Sequence, residues 1–410
     1  MEEAIIRKYA KLAVCSGANV QKGQLLVITA SVHDAAFAEY CAEEAYKAGA
    51  GKVAIRWNDD TVTHLAYQYE SQESLCRVAD WELARKQDEI DQKACYLYID
   101  SEVPGFFKDI DADKMQKATM ARRKKMKPYQ AYTMNNIGQW SIVAVPSPQW
   151  ALKVFPDKSE EQAQEALWDA ILQSVRINRT NDPQAEWERH DRQLAEHCRL
   201  LNSYQFDYLH FTNGLGTDLK VHLVKDHIWA GGGSTTPSGV FFNPNMPTEE
   251  CFCMPDRDHV DGTVYASKPL SLSGKVVENF WFTFKDGQVV DYGAEKEKEA
   301  LANMLSTDEG SKHLGEVALI SYDSPISNMN IMFFNTLFDE NASCHLALGA
   351  CYPENLEGGS DMTEEEVLAH GGNSSVNHVD FMFGTQDMDV TGVTFDGRRV
   401  PIFRAGNFVI

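Results

Sequence analysis

Two short apolar runs near the start of the chain, Leu25–Ile28 and Val53–Ile55, flank an alanine-rich stretch at 34–48. That stretch ends at Gly49, with Gly51 just beyond. A glycine just past a run of helix formers marks a helix C-terminus. The order is therefore strand, helix, strand. Two strands joined through a helix pair in parallel in one sheet, and helices cover the faces of that sheet. Cys95–Ile99, rich in aromatic and apolar residues, reads as a further strand. Before the first strand, Ile5, Ile6, Tyr9 and Leu12 or Ala13 fall on one side of a helix. The N-terminal part is thus an α/β domain with a parallel sheet.

Helical signals continue to about residue 200. Ser159 and Gln162 have capping-box spacing, and Ala163, Ala166, Leu167, Ala170 and Ile171 follow as a stripe. Asp182–Pro183 opens another helix, with Trp187, Leu194, Cys198 and Leu201 on one side. After residue 203 the texture changes. Phe206–Phe211 and Asp218–Val224 read as strands about a Gly214/Gly216 turn. Glu278–Phe284 and Gln288–Tyr292 flank Asp286–Gly287, a hairpin signal. Residues 294–305 look helical, and Glu316–Ile320 reads as a strand. The second part is a β-rich α+β domain. With 410 residues the chain is long enough for two or three domains. The expected division is 1–190 and 191–410.

The chain carries 60 Asp and Glu against 38 Lys and Arg, a net charge of −22. Such a balance argues against nucleic acid or an anionic membrane as partner. It suits metals and free amino groups, although many soluble proteins are simply acidic. The basic run at Arg122, Arg123, Lys124, Lys125 and Lys127 reads as a solvated helix face in so acidic a setting. The N-terminus lacks the basic and apolar regions of a signal peptide. No stretch approaches the roughly 18 apolar residues that span a bilayer. Nine scattered cysteines without a framework fit a reducing cytoplasm.

Six side chains in the second part stand out. His378 and Asp380 are two apart in a strand-like segment, which puts both on one face. A solvent-facing strand would carry such a pair too. Glu250 follows a segment stiffened by Pro244 and Pro247, although acidic residues also favour helix N-termini. Glu316 opens an apolar strand, either at a site or at a solvated strand end. Glu340 and His345 lie five apart in a small-residue segment, so a turn is needed to bring them together. Four carboxylates and two imidazoles are the right number and type of groups for two divalent cations. Four negative charges balance the metals' four positive ones, and a buried set without them is unfavourable. Paired metals activate water against a carbonyl or phosphoryl group.

Other schemes fit less well. Cys344 and His345 are adjacent and do not face each other, and no Gly-x-Ser-x-Gly elbow is present. Cys251-x-Cys253 has no matching second pair for a zinc site. Gly231–Gly233 lacks the Lys-Ser/Thr of a phosphate loop.

Several segments together resemble the aminopeptidase T / aminopeptidase S (PepS) family, the thermophilic metalloprotease type. They are NPNMPTEE (243–250), HLGEVALIS (313–321), NTLFDENASCHLALG (335–349) and NSSVNHVDFMFG (373–384), with SPQWALKVFPD (147–157) and FFKDIDADKMQKA (106–118) upstream. The resemblance spans nearly the whole chain. It implies Glu250, Glu316, Glu340, His345, His378 and Asp380 as ligands of two divalent ions, with zinc, cobalt, magnesium and manganese as candidates. It also implies a homodimer whose active sites face an internal cavity. Tyr352 resembles a tyrosine near the family's metals and is the candidate oxyanion stabiliser; read alone, it is a packed aromatic before Pro353. Cys251, Cys253 and Cys344 depart from the pattern, and thiols beside a metal would alter its identity and its sensitivity to oxidation.

The expected function is a metal-dependent aminopeptidase that releases N-terminal residues from peptides by a two-metal activated water. Glu316 and Tyr352 are the catalytic candidates, Glu316 also as a proton relay. The rivals are another two-metal hydrolase, such as an amidase or phosphoesterase, and a non-catalytic metal- or peptide-binding protein.

Overall fold

The computed structural model describes residues 1–272 and 275–410. The chain forms two compact units. Residues 1–188 with 233–247 make the first, and 189–232 with 248–410 make the second. The excursion at 233–247 returns the chain to the first unit, where Ile142 N–H donates to Pro244 O at 2.7 Å. A single cut in the sequence does not represent such a division.

The first unit is built on four parallel strands, β1 (Leu25–Ser31), β2 (Lys52–Asn58), β3 (Cys95–Asp100) and β4 (Trp140–Ala144), in the order β2-β1-β3-β4. The expected parallel sheet is present. Alternate residues of β1 serve opposite faces. Leu25 and Val27 pack with Tyr96 and Tyr132, while Leu26, Ile28 and Ala30 are buried with their side chains on the other face. That double burial explains why β1 reads as an unbroken apolar run. The helix Ala35–Ala48 ends at Gly49, whose φ of 99° suits glycine. The capping box at Ser159 and Gln162 forms as expected. The basic run lies on the helix Ala112–Met134, where Arg122 pairs with Glu82 at 2.9 Å.

The second unit holds a nine-stranded antiparallel sheet and a five-stranded one. The Asp286–Gly287 hairpin is found, with φ of 49° and 76° at its two central residues. Both values are positive, as a tight primed turn requires. The helix expected over 294–305 begins only at Lys298. The hairpin's second strand runs on to Lys296, because Ala294 and Lys296 pair with Phe280 and Glu278. Sheet pairing there outweighs helix propensity. Among the described residues no helix is long and apolar enough to cross a membrane.

The five-stranded sheet carries the candidate site. Its order is His378–Met382, His345–Gly349, Leu314–Leu319, Cys251–Cys253, Ala230–Gly231. Aligned residues on neighbouring strands share a face. Glu316 lies opposite Ala347, and Ala347 lies opposite Asp380. Ala318, His345 and Met382 form the next row.

Candidate metal centre

Glu316 is the third residue of its strand rather than the first, and it is buried. The register shifts between Leu314 and Glu316, leaving Gly315 as an extra residue. A bulge of this kind re-aims the next side chain and is common beside active sites. A Cβ on Gly315 would lie 2.2 Å from Ala350 O, so only glycine fits there. The bulge turns Glu316 onto the sheet face that carries His345, Asp380 and His378. Between them stand Ala347 and Gly349. Their small size leaves space over the centre of that face.

Glu250 immediately precedes the strand Cys251–Cys253. Phe252 pairs with Ala318, which places Glu250 and Phe252 on the ligand face by the two-residue period. Cys251 and Cys253 point to the opposite face, into the core with Val317 and Leu319. Cys344 is core as well, and its thiol donates to Ile320 O at 3.4 Å. The three thiols therefore face away from the candidate ligands. Burial pushes Cys344 up to about 12 and raises Cys253 further.

Glu340 opens a 3-10 turn, Glu340–Ala342, which follows the short helix Thr336–Asp339. The turn needed between Glu340 and His345 is present. Asn341, within it, was not legible as a site residue. It is fully buried, its Oδ1 accepts from Glu249 N at 2.8 Å, and its Nδ2 donates to Leu337 O at 3.0 Å. One amide thus ties the Glu250 segment to the Glu340 turn. Asn341→Ala is expected to leave the buried Glu249 N–H unmet, at a cost of about 1–3 kcal/mol. Metal affinity should fall by about 10–100-fold, as for other lost supporting contacts. Denaturant unfolding and metal titration of the variant measure the two effects separately.

The side chains converge as two overlapping groups. In the first, His345 Nε2 lies 3.4 Å from Glu250 Oε2 and 3.5 Å from Glu316 Oε1. In the second, His378 Nε2 lies 3.2 Å from Glu316 Oε2 and 3.4 Å from Asp380 Oδ1. Glu316 belongs to both and turns one oxygen to each histidine. Asp380 Oδ1 is also 3.9 Å from His345 Nε2. The Nδ1–H of His378 donates to Ala350 O at 2.7 Å. That bond fixes the tautomer and leaves Nε2 for a ligand role.

The electrostatics of the set suit a cation. Burial, then Glu316, push Glu250 up to about 8. Burial, then Asp380, raise Glu340 well above the carboxylate range. Burial also favours neutral Glu316, but its bonds with His345 and His378 outweigh that and hold it at about 2. Burial disfavours the imidazolium forms, yet the carboxylates raise His345 to about 10 and His378 to about 11. Asp380 Oδ1 is buried without a hydrogen bond. Crowded carboxylates of this kind are costly unless a cation balances them. Carboxylate oxygens with imidazole nitrogens suit divalent metals, and the residues present fit such ions.

Glu340 is not in either close group, but it lines one small cavity together with Asp380. Tyr352 packs its ring 4.8 Å from the His378 ring and 5.8 Å from Phe252. Burial, then Glu316 and Asp380, raise its hydroxyl above the ordinary tyrosine range. All seven residues singled out in the sequence lie in the second unit.

The family model described as thermophilic metalloprotease (M29) matches residues 2–408. Aminopeptidase AmpS of Bacillus subtilis (strain 168) is 44% identical over 403 residues, covering 98% of each chain. The solved structure of wild-type AmpT from Thermus thermophilus is similar with a TM-score of 0.92, at 38% identity and over 100% of both chains. A 2,5-dihydroxypyridine dioxygenase from Pseudomonas putida KT2440 has a TM-score of 0.55 at 12% identity, covering 100% of this chain and 98% of its own. A likeness that distant concerns the fold alone, since one fold hosts unrelated chemistries.

Proposed function

The chain belongs to the thermophilic metalloprotease family (M29), and from that premise we propose that it is an aminopeptidase using two divalent metal ions to release N-terminal residues from peptides. The observation that carries this reading is Glu316, with one oxygen on each of two histidines in two overlapping ligand groups. Relatives similar over almost their whole length are named aminopeptidases, which supports the substrate class.

In this reading Glu250, Glu316 and His345 hold one ion, and Glu316, His378 and Asp380 hold the other. Glu340 is a further ligand on the Asp380 side. Zinc, cobalt, manganese and magnesium all suit a set rich in carboxylate oxygen, with the imidazoles favouring the transition metals. When bound, the ions supply Lewis acidity to water and to the scissile carbonyl. The chain's own residues do the rest. The carboxylates attract and orient the substrate's terminal ammonium. Tyr352 donates a hydrogen bond where negative charge builds on the carbonyl oxygen. Glu316 is catalytic because both groups lose a member when it is lost. The reading includes a homodimer, as the family resemblance implies. All nine cysteines are unpaired, which supports a reducing, cytoplasmic setting.

The test uses two matched peptides, one with a free N-terminus and one acetylated, after chelation and after restoring each metal in turn. Cleavage of the free peptide alone, restored by metal, is the expected result. Equal cleavage of both would make the protein another kind of hydrolase. Metal binding with no cleavage of either would leave a binding role.

A further inference from the structure

We propose that a small cavity beside Glu340 and Asp380 receives the side chain of the substrate's N-terminal residue, and that Phe334 and Met382 decide which side chains it admits. The inference rests on the aminopeptidase reading and deepens it. The cavity measures 90 Å³, and its walls include Pro269, Leu270, Phe334 and Met382. That is well below the roughly 300 Å³ at which whole-ligand pockets begin, and so matches one side chain rather than a peptide.

Three observations converge on this assignment. The first is position. His378, Asp380 and Met382 follow the two-residue period of one strand, so two ligands and a cavity wall share a face. Met382 lies opposite His345. Met382 O accepts from Ser267 N at 2.9 Å, which anchors the loop that brings Pro269 and Leu270 to the cavity.

The second is strain. Phe334 has a φ of 56°, in the left-handed region that bulky residues rarely enter. Such conformations persist where the surroundings enforce them, often at ligand clamps. Here the enforcing group is Asp339. Its Oδ1 accepts from Phe333 N at 2.7 Å and its Oδ2 from Asn335 N at 3.0 Å. Asp339 directly precedes Glu340, so one turn presents both a ligand and the Phe334 wall.

The third is size. Ser271, Asn335 and Thr336 line the cavity beside the apolar walls, and the two oxygens of Asp339 are engaged by backbone N–H groups. A space of 90 Å³ suits a side chain of leucine or methionine size, and tryptophan exceeds it.

The experiment measures kcat/KM for metal-loaded, full-length enzyme on peptides that differ only in the N-terminal residue: Ala, Leu, Met, Lys or Trp. The wild type should favour Leu and Met over Trp by at least about tenfold, within the range that apolar pockets discriminate. Phe334→Ala should raise the Trp-to-Leu ratio by about tenfold or more, while bound metal stays at the wild-type level. Free L-leucine should raise the wild-type Tm, and L-tryptophan should not; in the variant the order should narrow or reverse. Phe334→Gly keeps the required φ without strain and guards against a folding failure, and Met382→Ala tests the facing wall separately. If the wild type cleaves free N-terminal peptides while the three variants keep its side-chain profile, the assignment is overturned. If the wild type cleaves none, the aminopeptidase reading falls and takes this inference with it.

Discussion

Replacing Glu316 with glutamine is expected to abolish turnover and to strip metal from the centre, while the fold survives. The side chain is nearly the same size, so the buried strand and its bulge keep their packing. What changes is charge and ligand capacity. Glu316 is the one residue common to both ligand groups, and it faces His345 at 3.5 Å and His378 at 3.2 Å. A neutral amide has a single oxygen to offer and does not offset a divalent ion. Loss of a mere supporting contact costs about 10–100-fold in metal affinity, and loss of a shared ligand should cost more. Activity should fall by more than the roughly 10–100-fold of a lost supporting contact. Metal analysis after gel filtration should give fewer than two ions per chain, and circular dichroism should match the wild type. Full activity in Glu316→Gln would sink the assignment of this residue.

Tyr352→Phe should leave a different signature. The ring packs on His378 and Phe252, and phenylalanine keeps those contacts. Only the hydroxyl is lost. If that hydroxyl stabilises charge on the carbonyl oxygen, kcat should fall about 10²–10³-fold, as when one oxyanion donor is removed. KM and bound metal should change little, because the interaction grows only as the transition state forms. Steady-state kinetics beside metal analysis separates the two variants: Glu316→Gln loses metal, and Tyr352→Phe keeps it. Unchanged kcat in Tyr352→Phe would return this residue to a packing role.

The contrast between these residues and their neighbours shows what local sequence carries. The parallel sheet was legible because β1 and β2 are apolar and a glycine-terminated helix lies between them. The Asp286–Gly287 turn was legible because its backbone conformation demands those residue types. The helix at 294–305 was half misread. Its first residues are good helix formers, but they pair with Glu278 and Phe280 across a hairpin. The excursion of 233–247 to the first unit had no local signal, since packing partners distant in sequence decide it.

For the candidate site, residue types and motif context determined which carboxylates and histidines to consider, and the family to which the chain belongs. Chemistry of that kind resides in side-chain identity. Tertiary structure alone decided how they meet. The register of four strands brings Glu250, Glu316, His345 and Asp380 onto one face, and the same register turns Cys251 and Cys253 to the other. A one-residue bulge at Gly315 aims Glu316, and the buried amide of Asn341 joins two segments ninety-two residues apart. Spacing along the chain says which residues are available; distances set by long-range pairing say which of them can share a cation.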